Sequence, residues 1–359
     1  MRHLLRDRPS RSRFLFNLAI TALVTASFAA PANALVNTVV ATVQINPGGS
    51  LEGLAISPDS KFVYVASYYS NTIAVLDTST NQVGATRLVA GNGPQQMVFS
   101  PSGTQLYIVD IVVDIFNGIF QPTGSGAGAL SLISGPPTVQ GAFTKTIPGL
   151  GGYPTALAIT SDGKTIYVPD FESGLVSVVE TSSNTVSPVQ VQAGSGPDSV
   201  AFTPDGSFAY IANYNDNTVT VIATVTQSVV GPPIAVGTNP ENIVITPDGT
   251  QAYVTNLDGT VSVIKTASNT VSTSISLGAR NDRQFGMQSA ITPDGKYLYA
   301  PCEDAYTVVV VNTKTNKVVG KPISVGGVPT LVAIAHNGKH AYVVNSFDNT
   351  VSVISITGG

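Results

Sequence analysis

Short apolar runs, several of them alternating with polar residues, recur down the chain and are separated by turn-forming residues, a pattern of β-strands rather than helices. The cleanest unit reads Thr203-Pro204-Asp205-Gly206, then Ala209-Tyr210-Ile211-Ala212-Asn213, then Thr218-Val219-Thr220-Val221-Ile222. Its Pro-Asp-Gly turn supplies Pro where φ must lie near about −65° and Gly where φ is positive, which predicts a hairpin between first and second strands. Segments such as Tyr253-Val254-Thr255 and Val261-Ser262-Val263-Ile264 are β-branched and aromatic, as strands prefer. Between third and fourth strands, Thr78-Ser79-Thr80-Asn81, Thr181-Ser182-Ser183-Asn184 and Thr313-Lys314-Thr315-Asn316 end in Asn, which tolerates the left-handed conformation.

The turn recurs seven times, centred on Asp59, Ser102, Asp162, Asp205, Asp248, Asp294 and Asn337, at separations of 43, 60, 43, 43, 46 and 43 residues. Four strands in a period near 43 predict an all-β, seven-bladed β-propeller of four-stranded antiparallel blades, one domain over residues 35–359. The centre of the first strand is large, small, large: Leu54-Ala55-Ile56, Met97-Val98-Phe99 and Val332-Ala333-Ile334 among others. Side chains alternate between faces, so each inner strand has a bulky face and a thin one, and bulky should stack on thin around the axis. The chain finishes on a third strand, Thr350-Val351-Ser352-Val353-Ile354. Asn37-Thr38-Val39-Val40 resembles Asn316-Lys317-Val318-Val319, so the N-terminal strand is expected to complete the last blade and remove an open edge.

Residues 1–34 differ from the rest. Arg2, Arg6, Arg8, Arg11 and Arg13 precede an apolar stretch from Phe14 to Ala30, and Ala32-Asn33-Ala34 follows with the small-x-small pattern of a signal-peptidase site. A cleaved signal peptide and a periplasmic or secreted location are expected. Its removal takes away five arginines and Asp7, leaving 12 basic against 20 acidic residues. That balance, with no basic run after residue 13, argues against nucleic acid as partner. Cys302 is the only cysteine, so no internal disulfide is possible, and no later apolar stretch is long enough to span a membrane. We read the mature chain as a monomer.

The unit resembles the YVTN-type β-propeller repeat, spelled outright at Tyr253-Val254-Thr255-Asn256, with near-copies at Tyr210-Ile211-Ala212-Asn213 and Tyr342-Val343-Val344-Asn345. The resemblance covers residues 35–359 and implies exported bacterial or archaeal proteins of surface-layer-like or periplasmic type; it implies no single activity. Seven-bladed lactonases of the 6-phosphogluconolactonase type share the architecture, although none of their functional residues is matched here. Propeller subunits of periplasmic redox enzymes also look similar, but a chain with one cysteine cannot carry a Cys-x-x-Cys-His haem attachment.

Candidate chemistry lies where the repeat fails. Blade two carries about 17 extra residues after Asp110, through Asp114, Phe116, Phe120 and Gly128, and blade six has a lengthened approach, Ala279-Arg280-Asn281-Asp282-Arg283-Gln284-Phe285-Gly286. The residues leading into the first strands form a ring, Glu52, Gln95, Thr155, Asp198, Glu241, Met287 and Thr330. With Asp110, Arg280, Asp282 and Arg283 they make a polar mouth for a small polar ligand, a cation or a protein partner. His336 and His340, the only histidines after residue 34, belong to the opposite end, which counts against hydrolase chemistry at the mouth. The leading expectation is therefore a non-catalytic exported scaffold. The alternative is a lactonase-type hydrolase or lyase using Glu52, Asp198 or Glu241 with a divalent metal. No calcium-loop motif is present and the sequence specifies no cofactor. Cys302, beside Glu303 and Asp304, is expected to be a small packed residue rather than a reactive thiol.

Overall fold

Each Pro-Asp-Gly turn closes a hairpin through the same side-chain bonds. The Thr203 hydroxyl donates to Asp205 Oδ1 at 2.5 Å and accepts from the Phe208 N–H at 3.0 Å, while the Ser207 N–H donates to Asp205 Oδ1 at 3.0 Å. Gly206 takes φ of 71° to complete the turn. Bonds of this kind stabilise the ionised carboxylate. The Thr203 bond first, then the Ser207 N–H, hold Asp205 below the usual carboxylate range, and the Thr160 bond leads in taking Asp162 down to about 2.

The computed structural model describes residues 35–46, 49–111, 113–116, 119–122, 128–134, 143–187, 189–278 and 288–358. Seven antiparallel sheets, one per repeat, form the propeller. Blade one runs Leu51–Ile56, Phe62–Ser67 and Thr72–Asp77 from the axis outward. Its fourth strand is split into Gln82–Val83 and Leu88–Val89, both paired with the third. Blades three, four and six split their outer strand in the same way. In blades four and six the interruptions are Gly231-Pro232-Pro233 and Gly320-Lys321-Pro322, where the glycines take φ of 70° and 71° and proline offers no N–H to the ladder. Blade five has no such interruption, and its outer strand runs unbroken over Thr270–Ser276. The blade-two insertion contains a hairpin of Val113–Phe116 with Ile119–Pro122. Among the described residues no helix is long and apolar enough to cross a membrane. Residues 1–34, where the signal peptide is expected, lie outside the described residues.

The last blade closes as expected. Strand Val36–Gln44 pairs antiparallel with Thr350–Thr357, from Val36 opposite Thr357 to Gln44 opposite Thr350. The match extends to one side chain. Tyr299 donates its hydroxyl to Asn37 Oδ1 at 2.7 Å, as Tyr253 does to Asn316 Oδ1 at 2.6 Å. The first strand of the chain thus takes the place that a fourth strand holds in other blades.

Packing between blades follows the bulky-on-thin rule. Ala55 of blade one lies in one cluster with Met97 and Phe99 of blade two, while Leu54 and Ile56 face Ala333 of blade seven. Val98 meets Leu157 and Ile159, Ala158 meets Val200 and Phe202, Ala201 meets Ile243 and Ile245, Val244 meets Ile291, and Ala290 meets Val332 and Ile334. All seven junctions therefore use the same alternation, and close packing of this kind keeps the ring from opening. One buried tyrosine per blade (Tyr64, Tyr107, Tyr167, Tyr210, Tyr253, Tyr299, Tyr342) fills the layer behind.

Candidate ligand site at the channel mouth

The first strand of a blade starts with an abrupt change of direction. Gly93, Gly196, Asn239 and Val328 take φ of 64°, 65°, 49° and 53°, and each is followed by proline. One residue later the ladder slips. Asp198 falls between the pairs Pro197–Asn213 and Ser199–Ala212, Glu241 between Pro240–Asn256 and Asn242–Thr255, and Thr330 between Pro329–Asn345 and Leu331–Val344. Glu52 is skipped in the same way between Leu51 and Gly53, and both Gln95 and Gln96 are skipped in blade two. Glu52, Gln95, Asp198, Glu241 and Thr330 of the ring are thus β-bulge residues. A bulge re-aims its side chain out of the alternation, and here it presents Glu52, Gln95, Asp198 and Glu241 to the axis, whereas Thr330 is buried with its hydroxyl paired to that of Ser346 at 2.6 Å.

The ring borders a cavity of about 710 Å³ whose lining comes from all seven blades. Glu52, Gln95, Thr155, Asp198 and Glu241 line it as expected, and Gln96, Ser199, Asn242, Gln288 and Leu331 line it as well. Gln96 Nε2 donates to Gln288 Oε1 at 3.3 Å, spanning from blade two to blade six. Asn242 bridges its neighbours, donating to Ser199 Oγ at 3.3 Å and accepting from Ser289 Oγ at 2.9 Å. The inner strands approach closely where blade one carries Gly53, since a Cβ there would lie 2.0 Å from the Gln95 carbonyl oxygen. Gly53→Ala should therefore destabilise the protein by about 1–3 kcal/mol through forced separation of blades one and two. Gly84→Ala, whose Cβ meets only the Val75 carbonyl at 3.6 Å, is the matched control. Thermal melts of the two variants that coincide would refute the close approach.

Asp110 is placed differently from expectation. It is buried at the end of the second strand of blade two, where it accepts the Ser131 hydroxyl and presses on Gly91, and it does not border the mouth. The reason is its repeat position, occupied elsewhere by Asp170, Asn213, Asn256 and Asn345. That position ties down the loop behind it: Asp170 accepts the Gly152 and Tyr153 N–H groups at 2.9 and 3.1 Å, and Asn213 accepts the Gly194 N–H at 3.0 Å. Arg280, Asp282, Arg283 and Met287 lie outside the described residues, and nothing of their placement enters the geometry.

What the ring pattern missed is the next residue along. Immediately after the second strand come Tyr68, Phe171, Tyr214 and Glu303 in blades one, three, four and six. Backbone bonds from Tyr68 to Ser50, Phe171 to Tyr153 and Tyr214 to Gly196 clamp this position to the loop leading into the first strand. Tyr68, Tyr69, Tyr153, Phe171 and Tyr214 consequently wall the cavity, with Phe171 5.7 Å from Tyr214 and 6.3 Å from Tyr153 between ring centres. The signal was available, because the residue after each Asn, Asp, Ser or Cys of the second strand can be aligned across the seven units.

Among its described lining residues the mouth carries charge of one sign. Glu52, Glu172, Asp198 and Glu241 border it, and among the described lining residues there is no Lys, Arg or His. Burial pushes Glu52 up, and it pushes Asp198 to about 7. Asp198 keeps partial exposure into the cavity that it lines, and burial is the largest cause of its shift. Burial, and then the charges of Glu241, Asp304 and Glu52, take Glu303 to about 9. Tyr68 is pushed to about 12 by burial and then by its neighbours Tyr153, Tyr69 and Glu52. For Asp198 the linkage sign is unfavourable. The folded chain keeps a proton that the unfolded chain would release, so stability falls as pH rises from about 3.8 towards about 7. A carboxyl retained against stability in a cleft points to a functional site. Among the described residues no three His, Cys, Asp or Glu side chains converge to hold a metal ion, so Glu52, Asp198 and Glu241 do not fit a shared divalent cation. Cys302 is buried and its thiol is raised to about 11 by burial, in keeping with a packing role.

Comparison with known proteins adds two findings. Residues 76–228 and 154–325, two overlapping windows, match the family described as "Lactonase, 7-bladed beta-propeller". Among solved structures, hydrazine synthase of Kuenenia stuttgartiensis is similar in fold, with a TM-score of 0.72 at 20% identity over 88% of this chain and 98% of that chain. No curated protein matches the sequence.

Proposed function

Because the chain belongs to the lactonase family of seven-bladed β-propellers, we propose that it is an exported binding protein that holds a small polar molecule at the channel mouth. The observation that carries this reading is the cavity itself, about 710 Å³, with bulge-presented polar side chains facing an aromatic wall. A concave site of this size with a few converging polar groups suits a small ligand. Export rests on residues 1–34, with their basic start and apolar core. Nucleic acid does not suit an acidic mouth.

A second reading is favoured by one observation. Asp198, at about 7, can accept or return a proton near neutral pH. In a lactone hydrolysis it would accept the proton of the attacking water and deliver one to the ring oxygen as the ring opens, with a tyrosine hydroxyl donating to the developing oxyanion. Such activity would rise with pH through about 7, since the base must be ionised.

Thermal-shift screening of polar compounds, followed by ring-opening assays with lactones, separates the two readings. On the binding reading, at least one compound raises the melting temperature of the native protein, Asp198→Asn abolishes the shift, and no lactone is turned over. Catalytic ring opening that disappears in Asp198→Asn would replace the binding reading with the hydrolytic one.

A further inference from the structure

The geometry points to a monovalent organic ammonium ion as the ligand of the channel mouth, seated against the tyrosine wall and neutralised by the carboxylates of blades one, four and five. This inference rests on the mouth-binding reading and specifies its ligand class. It draws on three features that are independent of one another.

The first is the wall. Tyr153, Phe171 and Tyr214 form a continuous series of tilted rings on one side of the cavity, and Tyr68 stands on blade one, 5.1 Å from Tyr69 at a right angle. An aromatic face attracts a cation through its quadrupole, by about 0.5–2 kcal/mol depending on desolvation. The second is the sign of the site. Glu52, Glu172, Asp198 and Glu241 border the same space, and no described lining residue is basic.

The third is Glu303. It is 5% exposed, and its Oε1 has no hydrogen-bond partner. It follows Cys302 directly, at the position from which Tyr68, Phe171 and Tyr214 reach the cavity in their own blades. The charges of Glu241, Asp304 and Glu52 act on it, although Glu303 itself lies behind the residues that line the cavity. An unpartnered buried carboxyl is costly to keep, and a bound cation supplies the missing partner. The groups facing Asp198 are Thr155, whose hydroxyl donates to the Asp198 carbonyl at 2.9 Å, and Tyr153 and Tyr214, which feel its charge. A cation entering among them favours the ionised carboxylates, so proton release accompanies binding.

An uncharged sugar would also use tyrosines and carboxyls, but it would leave the surplus negative charge unanswered. A metal ion is a poorer fit, because no three ligating side chains of the described residues converge.

Calorimetric titration of the full-length mature protein tests the inference. The probes are benzylamine against benzyl alcohol, and choline against its uncharged carbon isostere, so that each pair differs chiefly in charge. Both ammonium ions should bind at least about tenfold tighter than their neutral partners near pH 8. Choline does not titrate, so its affinity should fall about tenfold by about pH 6 as Asp198 takes up its proton. Tyr153→Leu and Glu303→Gln should each weaken choline by about fivefold or more with an unchanged circular dichroism spectrum. Neutral partners that bind as well as the cations, or an absence of saturable binding by either ammonium ion at about ten millimolar, overturns the inference. Binding of a neutral hexose in place of the ammonium ions overturns it too, yet leaves the mouth as a polar-ligand site.

Discussion

Deleting residues 35–46 lowers the melting temperature of the propeller by at least about 8 °C and makes the protein self-associate. Strand Val36–Gln44 contributes eight paired positions to the last blade, and Val39, Ala41 and Val43 pack against its neighbours. At about 0.5 kcal/mol per net hydrogen bond, the pairing alone amounts to roughly 4 kcal/mol. In a domain of this size each kcal/mol corresponds to about 2 °C. The loss also uncovers the full edge of Thr350–Thr357, an apolar strand with unpaired backbone groups that invites another chain. Differential scanning calorimetry and light scattering read both effects. A truncated protein that melts with the intact one and scatters light as the intact one does would show that the strand is dispensable.

The second large effect belongs to the tyrosine layer. Tyr253→Ala should cost about 3–5 kcal/mol, because the ring is wholly buried between blades five and six and the surrounding strands cannot collapse into the space. The hydroxyl accounts for a separable part. It lies 2.6 Å from Asn316 Oδ1 and 3.0 Å from the Thr313 carbonyl, both on the next blade, so Tyr253→Phe should cost about 1 kcal/mol. Tyr64→Phe is the control. The Tyr64 hydroxyl is buried without a partner among the described residues, so its removal should be neutral or slightly stabilising. Denaturant melts of the three variants give the comparison, and equal costs for the two Phe variants would refute the interblade clasp.

These effects explain why the architecture was readable and the site only partly so. Leu54-Ala55-Ile56 and its six counterparts record a packing rule in the order of the residues, because alternation along a strand maps directly onto two faces. Asn37 could be matched to Asn316 because a circular repeat can be cut anywhere without changing its contacts. Glu52, Asp198 and Glu241 are legible from their place at the start of the first strand, and their presentation to the axis follows from the bulge there, led by proline at Asp198 and Glu241 and by Leu51 at Glu52. Asp110 stands beside an insertion and so looks functional, whereas its repeat position buries it against Ser131 of the next strand.

Residue order by itself determined the seven units, the two faces of the inner strands and the closure of the last blade, since each depends on local periodicity and turn chemistry. The tertiary structure alone decided that Tyr68, Tyr153, Phe171 and Tyr214 share a wall and that Glu303 sits unpartnered near Glu241 and Glu52. It alone also decided that Asp198 loses enough water to titrate near 7. Burial and charge coupling across the axis arise only when blades far apart in sequence are brought around one channel, and no pattern within a single repeat encodes them.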